Sequence, residues 1–113
     1  MEFGKAVTKY VRISPRKARL AADLIRGLPL EEARAQLMFS SLRGGRLIGK
    51  TLESAVANVL QNQDVRREEL MVLEVRVDEG PRLKRSKARS KGSAVPVIKR
   101  TSHFTVVVGS MEV

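Results

Sequence analysis

With 113 residues and no cysteine, the chain has the length for one domain that buries somewhat over ~60% of its unfolded surface, and it has neither a disulfide framework nor thiolate-based zinc or redox chemistry. No uncharged run approaches the ~20 apolar residues of a membrane-spanning helix, and the opening MEFGKAVTKY has no apolar signal core, so a soluble cytoplasmic protein is the expectation. The net charge of +10 is unevenly placed: residues 1–27 carry seven basic and two acidic side chains, residues 28–79 seven and nine, and residues 80–113 eight and one. Two cationic ends around a near-balanced middle point to a polyanionic partner, most often nucleic acid, held by Coulomb attraction and counterion release. A merely solvated basic surface would mix its charges evenly.

In chain order, GKAVTKYV (4–11) mixes β-branched residues with lysines and reads as a strand. RISPRKARLAADLIRG follows, with Ser14 as N-cap, Pro15 at the first helical position and Gly27 as a left-handed stop. Ala18, Ala21, Leu24 and Ile25 form its expected apolar stripe, and Arg16, Arg19, Asp23 and Arg26 a mostly cationic face. A short second helix begins at Pro29, with Glu31 and Glu32 opposing the positive end of the dipole and Leu30, Ala33 and Leu37 on one face. Residues 41–63 read as a longer third helix through Ile48, Leu52, Ala55, Val56 and Val59. Gly44, Gly45 and Gly49 each weaken its start by about 1 kcal/mol, and permit close approach of either another helix or RNA. Met38, Met71 and Met111 read as ordinary core or chain-end residues.

The period then changes. Leu73, Val75 and Val77 alternate with Glu74, Arg76 and Asp78. In the last strand, TSHFTVVV (101–108), Phe104, Val106 and Val108 oppose His103, Thr105 and Val107. The order strand, three helices, strand, strand implies an α+β domain over 1–113: a small three-stranded antiparallel sheet with the helices on one face.

Between the last two strands lie 22 residues where hairpin turns take about 2–5. The stretch GPRLKRSKARSKGS (80–93) holds six basic residues, no acid and one large apolar side chain, Leu83. Nothing there can build a second core, so residues 79–100 are expected to extend from the body as a basic hairpin of roughly 30 Å, at ~3.3 Å per residue. Gly92 is the expected turn, and Pro81 and Pro96 are expected to interrupt the ladder. Eight like charges from Arg82 to Arg100 repel one another, so surrounding phosphates are needed to order the segment. With no aromatic in it, base stacking on aromatic rings is not the expected mode.

The stretches YVRISPRKARLAADLIRG (10–27), SAVANVLQNQD (54–64), VDEGPRLKR (77–85) and KRTSHFTVVV (99–108) together resemble the bacterial large-subunit ribosomal protein twenty-two family, over nearly the whole chain. The resemblance implies a globular domain at the outside of the large subunit near the peptide tunnel exit, with the hairpin threading inward through ribosomal RNA to the tunnel wall. It implies RNA contacts along the ribbon from Arg82, Lys84, Arg85, Lys87, Arg89 and Lys91. At the hairpin base it implies contacts from Lys99, Arg100, Ser102 and His103, and on the RISPRK face from Arg12, Ser14, Arg16, Lys17 and Arg19. Arg89, Ser90, Lys91, Gly92 and Ser93 would form the tunnel-proximal tip. The chain departs from the bacterial pattern at SKA (86–88), Ser93 and Val95-Pro96.

The implied partners are large-subunit ribosomal RNA, neighbouring ribosomal proteins and a nascent peptide near the tip, with no small-molecule substrate, cofactor or metal. The location is a bacterial-type ribosome in the cytoplasm or an organelle. Catalysis is not expected: His103 is the sole histidine, Ser102 and His103 have no acidic third partner at a motif spacing, and no nucleophile elbow is present. Asp78 and Glu79 are expected to balance nearby arginines. The competing readings are a free-standing architectural or regulatory nucleic-acid-binding protein, which would need an apolar wedge at the tip, and a peripheral protein on anionic membranes, which would need apolar anchors beside the cluster.

Overall fold

Helical spacing and strand alternation are realised in the computed structural model, which describes residues 3–62, 65–88 and 94–110, with the backbone alone described at 62, 85–88 and 94–97. Phe3–Val11 forms β1, Pro15–Ile25 α1, Leu30–Phe39 α2 and Arg43–Asn62 α3. A 3₁₀ turn at Arg67–Glu69 leads into β2 (Leu70–Glu79), and β3 (Leu83–Ala88), β4 (Ala94–Lys99) and β5 (Ser102–Ser110) follow. β5 is the centre of an antiparallel sheet of order β1-β5-β2, while β3 and β4 make a separate ribbon.

The core lies between one sheet face and the three helices. Phe104, Val106 and Val108 of β5 are fully buried against Ile48, Leu52, Ala55, Val56 and Val59 of α3 and Ala18, Ala21 and Ile25 of α1. α3 comes closest at β1, whose inward residues are small. A Cβ on Gly4 would stand 2.6 Å from the Ala55 carbonyl oxygen and 2.7 Å from Val59 Cβ. Beside it Thr8 Oγ1 and Thr51 Oγ1 share a hydrogen bond of 2.8 Å. At the α1–α3 crossing a Cβ on Gly44 would meet Ala18 Cα at 3.3 Å, which settles that glycine as a helix-approach device.

Three details differ from expectation. Leu24 is 39% exposed, and Ala22 takes its place in the stripe Pro15, Ala18, Ala21, Ala22, Ile25. Leu24 lies six residues beyond Ala18, well round the helix from the buried arc. In β2 the inward residues are Leu70 and Val72, then Val75 and Val77, with Leu73 only half-buried. The register slips between Val72 and Glu74, and the extra residue of that bulge flips the alternation. Met38 is 75% exposed at the end of α2, off the Leu30, Ala33, Leu37 face.

β2 is an edge strand, and the structure covers its open side. Gly27 (φ +82) ends α1 with its N–H donating to the Val72 carbonyl at 3.1 Å, and Val72 N–H donates to Leu28 O at 2.9 Å. Farther along, Arg26 Nη2 donates to Val75 O at 2.8 Å, and Arg19 Nε and Nη2 donate to Val77 O at 3.3 and 3.1 Å. Occupied carbonyls cannot template another strand.

Past Glu79↔Ser102 the sheet ladder stops, and the ribbon begins at Leu83↔Lys99 and runs without a shift to Ala88↔Ala94. Pro96 pairs with Ser86 inside that ladder, so it does not interrupt the register. A two-stranded ribbon is all edge, and a proline there can turn its missing donor outward. Pro81 lies before β3. The ribbon draws the molecule out to 66 × 25 × 18 Å, with a radius of gyration of 17.2 Å where a compact chain of this length has about 13 Å.

Candidate nucleic-acid interface

Strand pairing brings the two cationic ends of the sequence together. β1 ends at Val11, which pairs with Ser102 at the start of β5. The motif after Val11 therefore lies beside the residues that precede Ser102, the root of the ribbon. Ser102 Oγ donates to the Ile13 carbonyl at 2.7 Å in a fully buried bond that straps the 12–14 turn to β5. Ser14 then caps α1, accepting from Lys17 N–H at 3.4 Å.

On the opposite side of the root, Gly80 N–H donates to Thr101 O at 2.9 Å and Thr101 Oγ1 donates to Pro81 O at 2.7 Å. Gly80 is required there, because a Cβ would stand 2.5 Å from Thr101 Oγ1. His103 is pinned close by. Its Nδ1 accepts from Tyr10 N–H at 3.1 Å, and the two rings meet edge to face at 5.0 Å. That bond holds Tyr10 at φ +59, the one non-glycine residue in the left-handed region among the described residues, where β1 bulges.

A concavity of about 830 Å³ opens at this junction. Arg12 and Lys17 line it from the motif, Lys99 and Arg100 from the ribbon root, and Arg43 from the start of α3. Its apolar wall is Ile13, Leu20, Leu42 and Ile98. Among the described residues no acidic one lines it.

The basic residues sort into two sets by their partners. Arg26 pairs with Asp23, Arg34 and Arg67 with Glu31 and Glu53, Arg76 with Glu74 and Asp78, and Arg82 with Glu79 at 2.8 Å. So Asp78 and Glu79 do balance arginines. Among the described residues the remaining basic side chains have no carboxylate partner: Arg12, Lys17, Arg43, Lys99 and Arg100 at the junction, Arg16 and Lys84 beside it, and Lys5, Lys9, Arg19, Arg46, Lys50 and Arg66 elsewhere on the body. Exposed ion pairs are worth about 0–1 kcal/mol, so Arg82 can be released, but its charge is locally cancelled.

Set against the sequence reading, the structure gathers Arg12, Ser14, Lys17, Lys99 and Arg100 at one site and leaves Arg16 exposed on the neighbouring surface of α1. Lys84 is exposed on β3, and Arg85 and Lys87 are backbone positions of the same strand. Arg89, Ser90, Lys91, Gly92 and Ser93, with the expected turn at Gly92, lie outside the described residues, as does Met111. Two residues differ. Ser102 is turned inward with its hydroxyl engaged by Ile13 O, because the β1–β5 pairing sets it on the core side, and Arg19 is engaged with the edge of β2. Arg43 was missed. It stands at a helix start with no sequence link to the motif or the ribbon, and only the Gly44 approach to α1 sets it beside Lys17.

An acid-free cluster of five cations, continued by Lys84 on the ribbon, has the chemistry to bind a polyanion along one side of the molecule. Among the described residues no helix is long and apolar enough to cross a membrane. The family described as Ribosomal protein L22p/L17e matches residues 6–109. Relatives named Large ribosomal subunit protein uL22 include one from Protochlamydia amoebophila, 60% identical over 98% of this chain and 100% of its own length. A Chlamydia caviae relative is 56% identical over 96% and 97%, and one from Chlamydia trachomatis serovar L2 is 53% identical over 93% and 95%.

Proposed function

We propose that this chain, which belongs to the ribosomal protein L22p/L17e family, is a structural constituent of the large ribosomal subunit that binds and organises its RNA in the cytoplasm. The family is one of structural ribosomal proteins and not of enzymes. In this reading the protein stands among RNA segments and neighbouring ribosomal proteins and cancels phosphate repulsion where those segments converge. The observation that carries it is convergence: Arg12, Lys17, Arg43, Lys99 and Arg100, none with a carboxylate partner among the described residues, line one hollow at the ribbon root.

The contacts divide by position. Arg12, Lys17, Arg43, Lys99 and Arg100 grip backbone phosphates at the root. Lys84, Arg85 and Lys87 continue the track along the ribbon. Ser14 positions Lys17 by capping α1, and Ser102 and His103 hold the turn and bulge on which the root is built. By the family likeness, the hairpin reaches the wall of the peptide tunnel, where residues 89–93 face the nascent chain. Support for that last step comes from the family likeness of VDEGPRLKR and KRTSHFTVVV and from the elongated shape.

The test is expression of the chain followed by sucrose-gradient fractionation of the lysate and a moderate-salt wash. Retention in the large-subunit peak is expected. Recovery only with the nucleoid or with membranes overturns the reading.

A further inference from the structure

The concavity at the ribbon root has a wall that phosphate binding does not explain. Leu20, Leu42 and Ile98 are 56%, 37% and 44% exposed, come from α1, the loop before α3 and β4, and line one hollow whose rim carries cations without carboxylate partners. A duplex passing over this surface would offer it only phosphate and sugar, leaving three aliphatic side chains against charge. A nucleotide turned out of its stack has an apolar face on its base and an anion one backbone linkage away. The hollow, about 830 Å³, falls within the range of about 300–1,000 Å³ usual for ligand sites.

We infer that this concavity is a receptor for one extrahelical RNA nucleotide, whose base lies against Leu20, Leu42 and Ile98 and whose phosphates are held by the surrounding cations. The inference rests on the reading of the root as an RNA-binding surface. Among the described residues no aromatic lines the hollow, so the base is held between aliphatic side chains and the flat guanidinium groups of Arg12, Arg43 or Arg100, a stacking partner RNA readily accepts. The location follows from the fold. Leu20 lies on the flank of α1 away from Arg19 and Arg26, which are occupied by β2, so the helix divides its sides between protein and ligand.

The test uses the full chain and three RNA duplexes of the same sequence: fully paired, with a single bulged 2-aminopurine, and with an abasic residue at the bulge. Affinity is read by anisotropy at fixed salt. The base-bearing bulge is expected to bind about tenfold tighter than the abasic one, toward the low end of what a base gains on an aromatic ring. The exposed pair Leu20→Ser and Ile98→Ser, with folding checked by circular dichroism, is expected to erase that preference while the paired duplex binds as before. Equal affinity for base-bearing and abasic bulges overturns the receptor, assigns the aliphatic wall to a protein neighbour and leaves the proposed function standing. A tenfold preference that survives the double substitution overturns the location. Failure to bind any of the three RNAs overturns the inference together with the reading of the root cations as phosphate ligands.

Discussion

Excising residues 83–99 and joining Arg82 to Arg100 through two glycines separates what the ribbon does from what the body does. No buried core residue lies in that stretch among those described, and the pairing Leu83↔Lys99 places its ends opposite each other, so a two-residue turn can close it. The Gly80–Thr101 and Thr101–Pro81 bonds that seal the root lie outside the excision. Shortening the connection roughly threefold favours folding by about 1 kcal/mol of loop entropy, so the unfolding free energy should stay within about 1 kcal/mol of the parent. RNA binding should respond differently. The excision removes Lys84, Arg85, Lys87, Arg89, Lys91 and Lys99 and no acid, lowering the net charge from +10 to +4. At about 0.7–0.9 counterions per phosphate contact, the slope of log K against log salt becomes shallower by about 4 to 5. Urea unfolding followed at 222 nm and filter binding to large-subunit RNA between about 50 and 200 mM salt measure the two quantities. Loss of cooperative unfolding would place the ribbon in the core, and an unchanged salt slope would mean that its cations do not meet phosphate.

Gly4→Ala drives a methyl group to within 2.6–2.7 Å of α3 backbone and Val59 Cβ, so a loss of about 3 kcal/mol, at the upper end for overpacking, is expected in urea unfolding. Ser102→Ala leaves the Ile13 carbonyl buried without its donor, which costs about 1–3 kcal/mol and loosens Arg12 and Lys17; weaker RNA binding should accompany the lower urea midpoint. The pair Arg19→Ala and Arg26→Ala strips donors from the Val77 and Val75 carbonyls, partly exposed bonds worth about 1 kcal/mol each. Besides a lower midpoint, concentration-dependent association detected by light scattering is expected once the β2 edge is open.

Much of this architecture could be read from side-chain spacing, because the information is local. Ile48 through Val59 mark a helix face, Phe104, Val106 and Val108 a strand face, and Ser14-Pro15 a helix start, each within a few residues of sequence. What escaped was set by contacts distant in sequence or by single-residue irregularities. The bulge at Leu73 moves the inward positions of β2 by one. Arg19 and Arg26 resemble a solvated cationic face until β2 lies alongside. Ser102 reads as part of a polar ribbon base until Val11 pairs with it, and the same pairing assembles the interface from segments that share no local motif. Arg43 and Leu42 join that interface through the close crossing at Gly44, a tertiary fact without a charge signature. The cationic character of the ribbon was legible because no core-forming alternative exists for GPRLKRSKARSKGS.

Acid-paired cations and those gathered at the ribbon root should differ in function. Two multiple variants of the full chain, each checked for folding, should be compared for the salt dependence of binding to large-subunit RNA. One replaces Arg12, Lys17, Arg43, Lys99 and Arg100 by glutamine, and the other replaces Arg26, Arg34, Arg67, Arg76 and Arg82. The first is predicted to flatten the slope of log K against log salt by about 4, from five contacts at about 0.7–0.9 each, and the second to leave it unchanged within about 1. Equal flattening by both sets would show that only net charge matters and would contradict the assignment of the ribbon root as the binding surface.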